Sequence, residues 1–282
     1  MGLATFGQPV QDDTLTLPVV FHIMHTGEAI GTGDNISDAR VASAVVALNH
    51  HFLKEEGTDG FGIGVNTGIE FCLAQRDPEG NPSGGITRHD LSGLPAFVQN
   101  GIALSGLEDG VPDAQVKNIA CWNPLEFLNI YVVPEINGNN GGGGVQGYAY
   151  VGPTQNCLDG IVILANRTGV AGDKVLTHEM GHALGLQHTF YNTLSCAPES
   201  NCEVQGDFVC DTPPTPVNNS CNFPECPDAM VRNYMAYTGN LCRDSYTEGQ
   251  AQRMRGVIES GRAGLLTSLG CLPSVDFDAG IV

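Results

Sequence analysis

HEMGHALGLQH, residues 178–188, brings three imidazoles and one carboxylate into a single short stretch. If the stretch opens as a helix, His178 and His182 stand at i and i+4 and lie one above the other on the same face, close enough to share one metal ion. Glu179 is one residue round the helix, where a carboxylate misses the ion yet reaches a water bound to it. That is the position of a general base in zinc peptidases. Gly185 lacks a Cβ, so it can take the left-handed conformation that ends a helix and turns the chain back. His188 then swings in as the third ligand. Three neutral imidazoles leave the fourth tetrahedral position of Zn²⁺ open, which separates a catalytic zinc from a structural one. A bare HExxH is as often a chance match as a zinc site, since it occurs in many chains. The extended HExxHxxGxxH fixes five positions and is far more specific.

Composition narrows what surrounds this stretch. A chain of 282 residues with 41% hydrophobic content buries a full core, in one large domain or in two sub-domains sharing a cleft. The second arrangement is expected: a loose tail over 1–13, a catalytic sub-domain over 14–188 and a second sub-domain over 189–282. Lys+Arg number 12 against Asp+Glu 31, a formal charge of −19, which argues against nucleic acid or an anionic membrane as partner. The acidic surplus serves solubility and also suits a protein that holds Ca²⁺. Seven of the ten cysteines follow position 190, which points to an oxidising compartment and a disulfide-stapled C-terminal part. The absence of any CxxC pair lowers the rival reading, a second zinc. MGLATFGQPVQDD has neither a basic nor an apolar signal region, and no window is apolar enough to span a membrane. The expectation is a mature secreted protein whose signal and any pro-segment lie outside this chain.

Along the chain, LPVVFHIMH (17–25) is apolar on both faces and predicts a strand buried within a mixed sheet, with His22 and His25 as ordinary strand residues. Ser37 is an N-cap for a helix carrying Val41, Val45, Leu48 and Phe52, on which His50 and His51 are surface or packing residues. IEFCLAQ (69–75) and LNIYVVPEI (128–136) predict two more strands. Residues 84–123 are read only as irregular or short helical. NGNNGGGG (137–144) is a connector, since no GK[ST] follows it. GYAYVGP (147–153) and DGIVILA (159–165) predict short strands, the first as an edge strand that holds an extended peptide or as an ordinary hairpin strand. The active helix is expected from Gly172-Asp173 to about Leu184. Thr247 and Gln250 form a capping box for a last helix from about residue 248.

With NYMAY (233–237) added, the chain resembles the metzincin clan, in which a methionine turn lies beneath the zinc. Thr189-Phe190 and GDFVCDTPPTP (206–216) make it similar to the pappalysin family of secreted zinc endopeptidases. The resemblance runs from Leu17 to the last helix. It implies an α/β (α+β) metzincin-like fold: a twisted mixed sheet with a backing helix and an active-site helix, then an irregular disulfide-rich sub-domain ending in a helix. It implies zinc on His178, His182 and His188, Glu179 as general base, Met235 as the apolar floor of the site and Tyr237 as a donor to the oxyanion. It further implies calcium at Asp207 and Thr212 with Asp211 as a further oxygen source, and the disulfides Cys202–Cys226 and Cys221–Cys242. Relatives that cut beside basic residues carry aspartate just before the cysteine after the methionine turn. Leu241 holds that position here, so apolar side chains are expected in the pocket after the scissile bond, unless Asp244 or Glu248 takes over.

The expected substrates are proteins or peptides, hydrolysed by a zinc-activated water with Glu179 as general base. Two other readings are a catalytically silent zinc-containing binding or adhesion module, against which Glu179 and the open position count, and a zinc hydrolase of non-peptide amides.

Overall fold

The computed structural model describes residues 13–104 and 109–274. Apart from Asp13, the expected N-terminal tail lies outside them. The organising strand is β1 (Leu15–His25), whose residues are all buried from Leu17 onward. On one side it pairs in parallel with β2 (Ile69–Leu73) along its first half and with β3 (Ile86–Asp90) along its second. On the other side it pairs in parallel with β6 (Leu128–Val133), which is followed by parallel β8 (Ile161–Leu164). Antiparallel β7 (Gly147–Ala149) closes the sheet and forms its edge. Every residue of β6 and β8 is buried, as the continuous apolar runs require of parallel strands covered on both faces.

Alternation along these strands feeds two apolar clusters. Leu17, Val19, Phe21, Ile130 and Ile163 face helix α1 (Asp38–Phe52) and helix α4 (Val175–Ala183). Met24, Tyr131, Val133 and Leu164 face the other way, toward Phe97, Ile102 and Val116. Ser37 caps α1 by accepting from the Arg40 N–H. Tyr234, Met235, Tyr246, Met254 and Ile258 join the first cluster, so residues on both sides of His188 share one core. Met254 and Ile258 come from α5 (Glu248–Gly261), whose Thr247–Gln250 capping box is formed in both directions; α6 (Ala263–Thr267) follows.

Residues 84–123 hold more regular structure than their sequence suggests: β3, α2 (Pro95–Asn100), the short parallel pair β4 (Ile102–Ala103) and β5 (Val111–Pro112), and α3 (Asp113–Asn118). None is long enough to establish a period. On α3, Lys117 is fully buried. It forms an ion pair with Asp113 at 3.2 Å and lies 5.0–5.8 Å from the ring centroids of Tyr131, Tyr148 and Tyr150. The hydroxyls of Tyr148 and Tyr150 donate to the Asp113 carboxylate, which fastens the edge strand to α3.

All ten cysteines are paired: Cys72–Cys271, Cys121–Cys157, Cys196–Cys226, Cys202–Cys210 and Cys221–Cys242. The expected Cys202–Cys226 bridge is therefore corrected. Residues 202–210 turn back on themselves and bring the Cys202 and Cys210 Cα atoms to 4.9 Å, while Cys226 falls 5.7 Å from Cys196. Both separations lie in the range a disulfide spans.

Candidate active site

Helix α4 carries His178 and His182, and a left-handed turn at Gly185 (φ +93°) brings round the rest. A Cβ at Gly185 would meet Val257 of α5 at 2.7 Å, so both conformation and space call for glycine there. The Nε2 atoms of His178, His182 and His188 form a triangle with sides of 3.1, 3.2 and 3.0 Å. Two of the rings are oriented by carbonyl groups. His178 Nδ1 donates to Tyr234 O at 2.7 Å and His182 Nδ1 to Leu186 O at 2.8 Å. A carbonyl only accepts, so each Nδ1 carries the proton and each Nε2 turns a lone pair toward the centre of the triangle. Lone pairs that converge in this way repel unless a cation lies between them. Ligands about 2.05 Å from a tetrahedral zinc stand about 3.3 Å apart, close to the edges seen. Donor chemistry and spacing both fit zinc, and among the described residues this is the only cluster of three or more His, Cys, Asp or Glu ligand atoms so placed.

Burial keeps all three rings neutral, as ligation requires. It depresses His178 well below the usual histidine range, aided by His182 and Arg243. It also lowers His182, and it brings His188 down to about 3 with help from His182. Burial pushes Glu179 up to about 8, against the opposing pull of Arg243 and of the Ala149 N–H, which donates to its carboxylate. That bond joins the edge strand to the helix.

The cluster opens into a cavity of about 690 Å³ lined by His178, Glu179, His182, His188, Tyr237 and residues 144–149, together with Val175 of α4 and with Thr238 and Arg243 from the loop before α5. Tyr237 is half exposed. Its ring centroid lies 4.6 Å from that of His188 and 5.9 Å from that of His178, and burial together with Glu179 raises its phenol. Met235 is fully buried against α4. A Cβ at Gly181 would sit 2.4 Å from its sulfur, so glycine on α4 makes the close approach possible. The turn is tied to the site at two more points, where Tyr234 O accepts from His178 and Met235 O accepts from the Thr189 N–H.

Two expectations change here. Leu241 is fully exposed and does not line the cavity, because the loop turns its side chain to solvent. Leu241 therefore forms no apolar pocket beside the histidine cluster. Asp244 is paired with Arg232 instead, and neither Asp244 nor Glu248 reaches the cavity. The residue that does is Arg243, two positions beyond Leu241. Of the three residues expected at calcium, Asp207 and Thr212 come together, the Thr212 hydroxyl lying 2.8 and 2.7 Å from the two carboxylate oxygens. Burial pushes Asp207 up to about 7, and among the described residues no Lys, Arg or His lies within salt-bridge range of it. Asp211 turns away to α5, where it accepts from the Thr247 hydroxyl at 2.7 Å and the Gly249 N–H at 2.8 Å.

Sequence reasoning missed the carbonyls of Tyr234 and Leu186, the Ala149 N–H and Arg243. Backbone groups leave no mark in side-chain identity. A lone arginine in a cysteine-rich loop gave no sign of facing the cleft.

Similarities to known proteins agree with this geometry. The chain is 26% identical to an extracellular metalloprotease of Arthroderma otae over 89% of its own length and 80% of that protein's. It is 32% identical to an extracellular metalloprotease of Pyricularia oryzae over 86% and 84% of the two chains. Among solved structures, mature mirolysin of Tannerella forsythia in complex with a cleaved peptide matches with a TM-score of 0.70 at 27% identity, covering 92% of this chain and 97% of that one. The peptidase M43 family model, described as pregnancy-associated plasma protein-A, matches residues 110–259, more than half of the chain. The chain belongs to this family, the pappalysins, and is a metalloendopeptidase of metzincin fold.

Proposed function

We propose that the protein is a secreted zinc-dependent endopeptidase in which His178, His182 and His188 hold the metal and Glu179 is the general base. The observation that carries this reading is the convergence of three Nε2 lone pairs beside a buried carboxylate at the wall of an open cavity. Zinc held by these three histidines would supply a Lewis acid and lower the pKa of water toward neutral pH. Glu179 takes a proton from the attacking water and passes it to the leaving amine. The Ala149 N–H donates to Glu179 and fixes its orientation for both transfers. The Tyr237 phenol, on the rim beside His188, donates to the oxygen of the substrate carbonyl as charge gathers there. Met235 packs beneath α4, and the unpaired side of β7 holds an extended peptide by main-chain hydrogen bonds.

Secretion is supported by the relatives named as extracellular and by five disulfides, which persist in oxidising compartments. No helix among the described residues is long and apolar enough to cross a membrane. Calcium at Asp207 and Thr212 is a further part of the proposal, supported by a buried carboxylate on which Arg253 acts only from beyond salt-bridge range. Digestion of a proteome-derived peptide library tests the whole reading. Internal cleavage that a chelator abolishes and zinc restores is expected; intact peptides, or cleavage indifferent to chelator, would overturn it.

A further inference from the structure

Arg243 sits in the cavity wall beside the histidine cluster, and its surroundings are unusual for a guanidinium. The residue is 8% exposed, and its Nη1 lies 3.4 Å from Nδ1 of His178. Its Nη2 donates to Asn240 Oδ1 at 2.6 Å, and Nη1 reaches Tyr234 O only at 3.5 Å. Its Nε is buried with no hydrogen-bond partner. All of these protein partners are neutral, and among the described residues no carboxylate comes within salt-bridge range. Arg40, Arg76, Arg253 and Arg255 also lack a carboxylate within salt-bridge range among the described residues, but main-chain carbonyls accept from each of them, whereas the Arg243 Nε is buried without an acceptor. A buried, unpaired guanidinium is costly, and its fork of donors matches a carboxylate in two-point contact.

We propose that Arg243 is a specificity-determining residue that selects substrates with an aspartate or glutamate side chain adjoining the scissile bond. This rests on the endopeptidase reading. Arg243 lies next to His178 and lines the same cavity as Val175 and Thr238, so a side chain reaching it belongs to a residue flanking the bond that is cut. The Asn240 amide holds the guanidinium in place, donating in turn to Asp173 at 3.2 Å. Asp173 and Glu179 favour the Arg243 charge only from beyond salt-bridge range, and Asp173 is itself paired with Arg167 at 3.4 Å, so the two-point contact of the guanidinium fork is left for an incoming acid. A purely structural arginine, compensated through Asn240, would give no discrimination between substrates.

The test compares kcat/KM for peptides identical except at the residue flanking the cleavage site, which is Glu, Gln, Leu or Lys. The expected result is a preference for Glu over Gln of at least about tenfold, the size of one charge-assisted hydrogen bond, that declines as salt is raised. Arg243→Met should bring the Glu:Gln ratio to about one, and Arg243→Glu should favour Lys over Glu. Reading the ratio within each variant separates specificity from any general loss of activity. If Arg243→Met does not fold, Arg243→Lys, which keeps the charge and loses the fork, should still reduce the ratio. Equal cleavage of the Glu and Gln peptides by the wild type, or a ratio unchanged in the Arg243 variants, overturns this inference and leaves the protease reading intact. Failure to cut any of the four peptides overturns both.

Discussion

Gly181 shows how a single missing methyl group shapes the site. A Cβ there would stand 2.4 Å from Met235 Sδ and 3.2 Å from Tyr246 Oη. Both are fully or almost fully buried, and the Tyr246 hydroxyl donates to Thr177 O on α4 at 2.7 Å. Gly181→Ala should therefore displace Met235, whose neighbour Tyr234 orients His178 through its carbonyl. We expect a stability loss of about 1–3 kcal/mol from overpacking, together with weaker zinc binding. Urea unfolding and zinc titration of the two chains check this, and a variant with wild-type stability and affinity would show that Met235 packs more loosely than described. His178, His182 and Glu179 were legible in the sequence because a fixed spacing on a helix fixes relative position, and His188 because Gly185 marks the turn that brings it back. Arg243 and Leu241 were not, since a loop has no period and nothing in the run from Asn240 to Asp244 tells which side chain faces the cleft.

Individual elements differ in how much of their placement the sequence reveals. Strand β1 and helix α1 were readable because apolar patterns with a strand or helix period leave little choice of buried face, and Thr247 with Gln250 marked the start of α5 correctly. The loop before α5 behaves differently. Asp211 was expected beside Asp207, yet its carboxylate satisfies two donors at the N-terminus of α5, where a negative charge also favours the helix dipole. Asp211→Ala should lower stability by about 1 kcal/mol by the same amount with and without calcium. Asp207→Asn should instead remove any rise of the melting temperature on adding calcium. Thermal melts of both variants distinguish the roles, and loss of the calcium effect in Asp211→Ala would return that residue to the ligand set. Disulfide partners were equally hidden, because spacing along a chain does not determine which cysteines meet in space.

Across the whole molecule, one core joins the sheet, α4 and α5, so stability and active-site geometry are coupled. Buried His22, on the opposite face of β1 beside Tyr131 and Trp122, supplies an acid-sensitive point. Its Nε2 donates to Asn129 Oδ1 at 2.8 Å, and its Nδ1 lies 2.7 Å from the Thr87 hydroxyl. Burial lowers it from 6.5 to about 4, opposed by the Asn129 bond and aided by His89. A folded-state pKa below the unfolded value means that protons bind the unfolded chain more tightly. The contribution, on the order of 3 kcal/mol, is present in full above about pH 6.5 and is lost as pH falls toward 4. Melting temperatures measured with chelator present, so that metal loss plays no part, should fall over this window more steeply for the wild type than for His22→Gln. Identical slopes would contradict this account of His22. The central claim is that the three histidines hold zinc while Glu179 moves the proton. Metal content and peptide cleavage of Glu179→Gln test it most directly. One zinc per chain with cleavage reduced by several orders of magnitude is the predicted result, and cleavage at the wild-type rate, or loss of zinc along with activity, would contradict it.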